Sequence, residues 1–317
     1  MEAETVIVRV PASSANLGPG FDSVGLALGV WDECSVSVTD EPGLRIEVAG
    51  AGAGEVPLDE SHLVYRTMLH TWSVLGADPP SGLELRCHNA VPHGRGMGSS
   101  ATAIVSGIVA AQAVLGLRDG AARGVDLAVA NDIAAALEGH PDNSSASVYG
   151  GLTLSWTDDG DDERTRTVRA PIHDELDVVV LVPAGQLSTA KARSVLPAQV
   201  RLGDAARNSA RAALLVHALG HDPSLLLPAT REWLHQEPRR PAYPSSMALV
   251  DRMRSAGHAA VISGAGPSVL VLTTRDTAAS VAGLADEDWT VLRPGIPREG
   301  ASVTRVPTHG LSRSDRA

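Results

Sequence analysis

Three glycines and two serines crowd the run PHGRGMGSSA at residues 92–101, between a strand-like segment and an apolar one. Glycines let backbone N–H groups approach an anion closely, and a helix start adds unpaired donors and a partial positive charge. Phosphate is the guest such a loop would take. No lysine follows the last glycine, so the run is not the P-loop of NTPases. Taken alone it reads equally as a tight strand-to-helix turn with a serine cap. Glu138 heads a polar run, EGHPDN at residues 138–143, where a solvated helix-end carboxylate is the ordinary reading. Ser100 taken alone is ordinarily a cap, and Arg193 and Arg239 are ordinarily solvated surface residues.

Other chemistries are excluded by pattern. GAGAGE at residues 50–55 is followed by Pro57 where a dinucleotide-binding helix should begin, so it reads as a turn. The eleven histidines form no H-E-x-x-H pair, and no G-x-S-x-G elbow occurs. Cys34 and Cys87 lie far apart without C-x-x-C spacing, which argues against a zinc site or a disulfide framework and suits a reduced cytoplasmic setting.

The 317 residues suffice for two medium domains, and 44% apolar with 20% charged residues is a globular profile. One Phe and three Tyr make the expected core aliphatic. A net charge of −11 opposes nonspecific binding to nucleic acid or anionic lipid, so nucleotide phosphate must be met locally. The acidic start lacks the basic and apolar regions of a signal peptide, and no apolar run approaches the roughly 20 residues that span a bilayer.

Strands are expected at residues 5–10, 26–30, 35–38, 44–48, 83–87, 152–156 and 178–182, with a small-residue loop at 12–20. Val64, Met68, Trp72 and Leu75 recur at helical spacing after the cap candidate Ser61. Further helices are expected near 100–115, 125–137, 198–218 and 245–256, and a strand pair around 263–267. EGHPDN reads as a turn. The charge-rich stretch 157–169 reads as an exposed turn at a domain boundary, and the chain from about His309 as a frayed tail.

The glycine-rich run does not stand alone. VPASSANLGPGFDSVG at 10–25 and ISGAGPSV at 262–269 complete an ordered three-motif set that resembles the GHMP kinases. The first motif, with EGHPDN, with Ser188, Thr189, Lys191 and Arg193, and with HQEPR at 235–239, resembles the homoserine kinases among them. The resemblance spans residues 10 to about 306. It implies an α+β, two-domain GHMP fold: a ribosomal protein S5 domain 2-like ATP-binding domain over residues 1–165, then a C-terminal α/β-plait domain over 166–317.

The resemblance also implies roles. ATP phosphates would lie on Pro92, Gly94, Arg95, Gly96, Met97, Gly98, Ser99, Ser100 and Ala101, with Mg²⁺ held by Ser100 and Glu138. Asn16, Asp22, His140, Asn143, Arg193 and Arg239 would bind L-homoserine, the arginines its carboxylate and Asp22 its ammonium. A planar guanidinium suits a carboxylate because it offers two parallel hydrogen bonds. Asn143 would hold the reacting hydroxyl; the adjacent Asp142 is the competing candidate, as a true base. ATP and L-homoserine are the implied partners, without nucleic acid or membrane, and a homodimer is one open assembly. Departures from the family pattern are Pro238 before Arg239, a second arginine at 240, His62 in place of an Asn, and Thr102 and Ser145 in place of alanines. Arg240 therefore stays open as the alternative clamp. Another hydroxylated amino acid or amino alcohol remains open as substrate. So does a catalytically silent small-molecule binder, against which intact Ser100, Glu138, Asn143 and both candidate arginines argue.

Overall fold

Alternate residues Val6, Val8 and Val10 bury completely in the first strand of the computed structural model, which describes residues 4–118, 124–159 and 164–307. This strand, β1, is Glu4–Asn16, and it runs past Pro11 into the segment expected to be loop. Residues 12–15 are small and buried, and after a register shift at Pro11/Ala12 they pair with β2, Gly20–Val38. The strands expected at 26–30 and 35–38 are thus one long strand. The tight connection sets Asn16 and Leu17 at φ 70° and 47°, a conformation few non-glycine residues adopt.

β3, Gly43–Gly50, pairs in parallel with β4, Gly82–Asn89. Parallel neighbours need a crossover, and α1, Leu63–Val74, supplies it, burying Val64, Met68 and Trp72. The expected cap Ser61 instead donates to Asp59, and His62 takes the cap position without a side-chain bond.

The glycine-rich run leads into α2, Ser99–Arg118. Contrary to expectation, its stretch Ser99–Leu117 is long and apolar enough to cross a membrane; 72% of the window is buried inside the protein. The apolar composition serves a core helix packed among α1, the sheet and α3, Leu127–Glu138. Asp126 caps α3 through the N–H groups of Ala128 and Val129. The helix ends at Gly139, in the left-handed conformation that reverses the chain. The turn expected at 138–143 yields after only a few residues to α4, Asp142–Tyr149.

β5, Leu152–Thr157, pairs with β2 and with β6, Thr165–Ala170. Part of the stretch read as exposed turn is therefore strand; its residues 160–163 lie outside the described residues, as does the expected tail from His309. The second sheet has the order β10-β7-β9-β8. Its strands are β7, Leu176–Pro183, β8, Ala259–Ile262, β9, Val269–Thr274, and β10, Trp289–Leu292. Between β7 and β8 lie α5, Thr189–Ser194, α6, Leu202–Gly220, α7, Leu226–Ala229, α8, Gln236–Arg239, and α9, Pro244–Ser255; α10, Ala278–Ala282, follows β9. Finally β11, Ser302–Pro307, returns to the first sheet and pairs antiparallel with β1. The expected boundary at residue 165 thus meets the first residue of β6, and the sheets divide between Ala170 and Leu176.

Candidate active site

The three motifs, distant in sequence, are tied together by short polar side chains. The Ser263 hydroxyl donates to the Gly96 carbonyl at 2.6 Å and lies 2.8 Å from the Ser14 hydroxyl. Ser13 N–H donates to the Met97 carbonyl at 3.1 Å, and the Ser13 hydroxyl donates to Asn143 Oδ1 at 3.1 Å. Asn16 Nδ2 donates to the Gly264 carbonyl while its Oδ1 accepts from Asp22 N–H, both at 3.1 Å. Gly96 and Gly98 sit at φ 71° and 72°, and a Cβ would lie 2.2 Å from Ser263 O at the first and 2.2 Å from Ser13 Oγ at the second. Only glycine fits this junction.

A cleft of about 710 Å³ opens over it. Of the residues expected at the site, Asn16, Gly94, Gly96, Gly98, Ser99, Ser100, Ala101, Glu138, His140, Asn143, Arg193 and Arg239 line this cleft. The remaining loop candidates do not present side chains to it. Met97 packs in the core, the Arg95 guanidinium is taken by the carbonyls of His93, Pro183 and Ala184, and Pro92 lies outside the lining. Arg95 therefore ties the loop to the end of β7 instead of offering charge to phosphate.

The cationic wall is built around Phe21. Both the Arg193 and Arg239 guanidiniums lie 5.6 Å from the centre of its ring, and His235 stacks on it at 5.1 Å. Arg193 holds Asp22 with two hydrogen bonds, at 2.6 and 3.1 Å. Arg239, only 2% exposed, donates to the Ala192 carbonyl at 2.9 Å and to His235 Nδ1 at 3.3 Å. His235 in turn donates from Nε2 to the Gly18 carbonyl at 2.8 Å. Arg240 turns outward, clasped by Glu237 and Asp251. Of the two arginines in sequence, only Arg239 reaches the cleft.

Models of the GHMP kinases N-terminal domain and of the GHMP kinases C-terminal domain match residues 62–151 and 210–284. The chain is 50% identical over 306 residues to a homoserine kinase of Streptomyces coelicolor, covering 96% of each protein. The chain belongs to the homoserine kinase family. A homoserine kinase of Leifsonia xyli is 46% identical, covering 98% of this chain and 96% of its own. The crystal structure of homoserine kinase from Cytophaga hutchinsonii superposes with a TM-score of 0.82 at 26% identity, covering 95% and 97% of the two chains. The chain is accordingly a phosphotransferase that uses ATP.

In this homoserine kinase-family cleft, the acidic end is electrostatically tuned. Burial pushes the Glu138 carboxyl above its ordinary value, opposed by the neighbouring Ser100 hydroxyl and the charge of His140. The hydrogen bond to Asp142 raises the His140 imidazole. Burial lowers His235, consistent with a neutral ring that accepts from Arg239. Asp142, 2% exposed, spends Oδ1 on the Asn143 N–H at 2.8 Å and lies 3.3 Å from His140 Nδ1.

Three further residues support the site, two of them, Phe21 and His235, inside motifs already singled out in the sequence but without an assigned role, and one, Asp32, outside any motif. Phe21 and His235 act through packing, which no motif spacing reveals. Asp32 lies mid-strand in β2, yet its carboxylate accepts from Ala90 N–H, Val91 N–H and the Thr102 hydroxyl at 2.8, 2.9 and 2.5 Å, fixing the approach to the glycine-rich run. Thr102, a departure from the family pattern, is thereby explained as the partner of Asp32.

Proposed function

We infer that this chain transfers the γ-phosphate of ATP to the side-chain hydroxyl of L-homoserine, giving O-phospho-L-homoserine and ADP for threonine biosynthesis. One observation carries the substrate class: Arg193, which holds Asp22, and Arg239 both line the cleft that also contains Ser100 and Glu138, and Asp22 itself lies outside that lining. Two guanidiniums beside one carboxylate match the carboxylate and ammonium of a free amino acid. The homoserine kinase relatives supply the length of the side chain.

A second cavity of about 300 Å³ adjoins the cleft at Leu63, Ser99 and Ser100. We assign it to the nucleoside, with the phosphates following the glycine-rich run to the start of α2, where unpaired N–H groups and the helix dipole favour negative charge. His62 lines this cavity with Nδ1 buried and without a hydrogen-bond partner, and burial lowers its imidazole from the ordinary value.

Among the described residues no group of three His, Cys, Asp or Glu forms a metal cluster. Ser100 and Glu138, which both line the cleft, fit the two-ligand site that magnesium would complete with phosphate and water. The ion, when bound, neutralises charge on the β and γ oxygens of ATP. Asn143, oriented by Ser13, would hold the substrate hydroxyl in line with the γ-phosphorus. An amide takes no proton at neutral pH, but a loose transition state does not require early deprotonation, so positioning supplies most of the acceleration. We place the division between the two functional domains after Ala170, with residues 302–307 returned to the first.

Phosphorus NMR of a mixture of ATP, magnesium and L-homoserine tests this directly. O-Phosphohomoserine should accumulate in equal amount with ADP. ADP formed with inorganic phosphate alone, or a phosphorylated product only from serine, threonine or an amino alcohol, contradicts the assignment.

A further inference from the structure

The proposed reaction uses neither of the chain's two cysteines. Distant in sequence, Cys34 and Cys87 sit directly opposite each other where β2 and β4 pair antiparallel. Both are buried free thiols, and Cys87 Sγ donates to Cys34 Sγ across 3.5 Å. Opposed residues on antiparallel strands have Cα atoms about 4.5–5.5 Å apart, inside the roughly 4.4–6.8 Å that a disulfide spans. Side-chain rotation can therefore bring the sulfurs together without moving the strands.

The pair also has an approach route. Both cysteines line the second cavity, together with His62, Ser99 and Ser100. A small reagent entering that cavity meets two thiols already within contact of each other, whereas an isolated buried cysteine would offer only one.

We propose that Cys34 and Cys87 form a modification site: a cross-strand dithiol that a low-molecular-weight disulfide converts to an intramolecular Cys34–Cys87 bond. The first protein sulfur, as thiolate, attacks the small disulfide and expels one small thiol, leaving a mixed disulfide. The second protein sulfur then displaces the other small thiol. In sum two protein thiols and one small disulfide become one protein disulfide and two small thiols, with two electrons and two protons passing to the small disulfide. The mixed disulfide is short-lived because the resolving sulfur is its nearest neighbour. The neighbouring Cys87 thiol and burial push the Cys34 thiol up, so closure is slow.

The effect on nucleotide rests on the assignment of this cavity to the nucleoside, and the experiment separates the two. The full chain, native, is incubated with oxidised glutathione, with and without ATP and magnesium, then quenched with an alkylating reagent and read by intact mass and thiol count. The wild type should lose both thiols together, lose two hydrogens in mass, carry no stable glutathione, and recover both thiols with dithiothreitol. Cys34→Ala and Cys87→Ala should each give either no reaction or one stable glutathione adduct, never the two-hydrogen loss. A stable single adduct on the wild type, or reaction only after unfolding in urea, overturns the dithiol site. At ATP about ten times its Kd, closure should slow about tenfold. Closure at an unchanged rate supports the dithiol and overturns only the nucleoside assignment.

Discussion

Arg193 grips Asp22 with both terminal nitrogens, Nη2 to Oδ1 at 2.6 Å and Nη1 to Oδ2 at 3.1 Å, over the face of Phe21. The proposed carboxylate clamp and the proposed ammonium partner thus pair with each other. A ligand bearing one charge must break this pair and can replace only half of it. In the proposed site an amino acid would replace both halves, its carboxylate taking Arg193 and its ammonium taking Asp22. Selectivity for a zwitterion would then follow from the Arg193–Asp22 pairing itself.

The two arginines at 239 and 240 should separate cleanly. A hydrogen bond to a charged group is worth about 1.5–3 kcal/mol, so Arg193→Ala and Arg239→Ala should each raise the KM for homoserine on the order of 10- to 100-fold with the KM for ATP nearly unchanged. Arg240→Ala removes an exposed ion pair with Glu237 and Asp251 and should change neither constant by more than about twofold. Steady-state kinetics with each substrate varied in turn decides it. A large effect at Arg240 with none at Arg239 would move the clamp.

The activation of the hydroxyl is tested at the neighbouring pair. Losing one well-aimed hydrogen bond costs on the order of 10²-fold in rate, so Asn143→Ala should lower kcat by about that much. Asp142→Asn replaces a carboxylate that caps the Asn143 N–H and should act mainly on stability. Single-turnover rates and thermal melts of both variants give the answer: abolished turnover in a folded, substrate-binding Asp142→Asn protein, with Asn143→Ala still active, would establish Asp142 as a base.

Asp32 makes a prediction about the scaffold. Burial raises its carboxyl above the ordinary value despite three hydrogen bonds, so its charge is held at a cost. Asp32→Asn keeps an acceptor for Ala90 and Val91 and can donate to Thr102; denaturant unfolding should show a change below about 1 kcal/mol. Asp32→Ala strands two backbone N–H groups and should cost about 2–4 kcal/mol.

Much of this architecture was legible from the chain because its signals were local. Val64, Met68 and Trp72 announced α1 through their spacing, and the alternation Leu83, Leu85, Cys87 announced β4. What was hidden depended on distant partners. Residues 12–15 have no strand propensity and become strand only because β2 and the third motif cover them. The eight residues of α4, DNSSASVY, carry no apolar stripe; their serines are buried against Pro11, Pro141, Asn131 and Thr167, so the helix is held by polar contacts that periodicity does not register. No strand is expected at residues 302–307, and β11 forms there because β1 pairs with it. The candidate site residues were found by motif resemblance, whereas Phe21, His235 and Asp32 support them through stacking and buried hydrogen bonds that only the folded chain brings together.

The most direct measurement is kcat/KM for ADP release with L-homoserine against its two half-charged analogues, 3-amino-1-propanol and 4-hydroxybutanoate. Each analogue keeps the reacting hydroxyl and removes one charge. If homoserine enters the Arg193–Asp22 pair as a zwitterion, its kcat/KM should exceed that of both analogues by at least about 10²-fold, the value of one or two charge-assisted hydrogen bonds. Either analogue turned over as efficiently as homoserine would contradict the account.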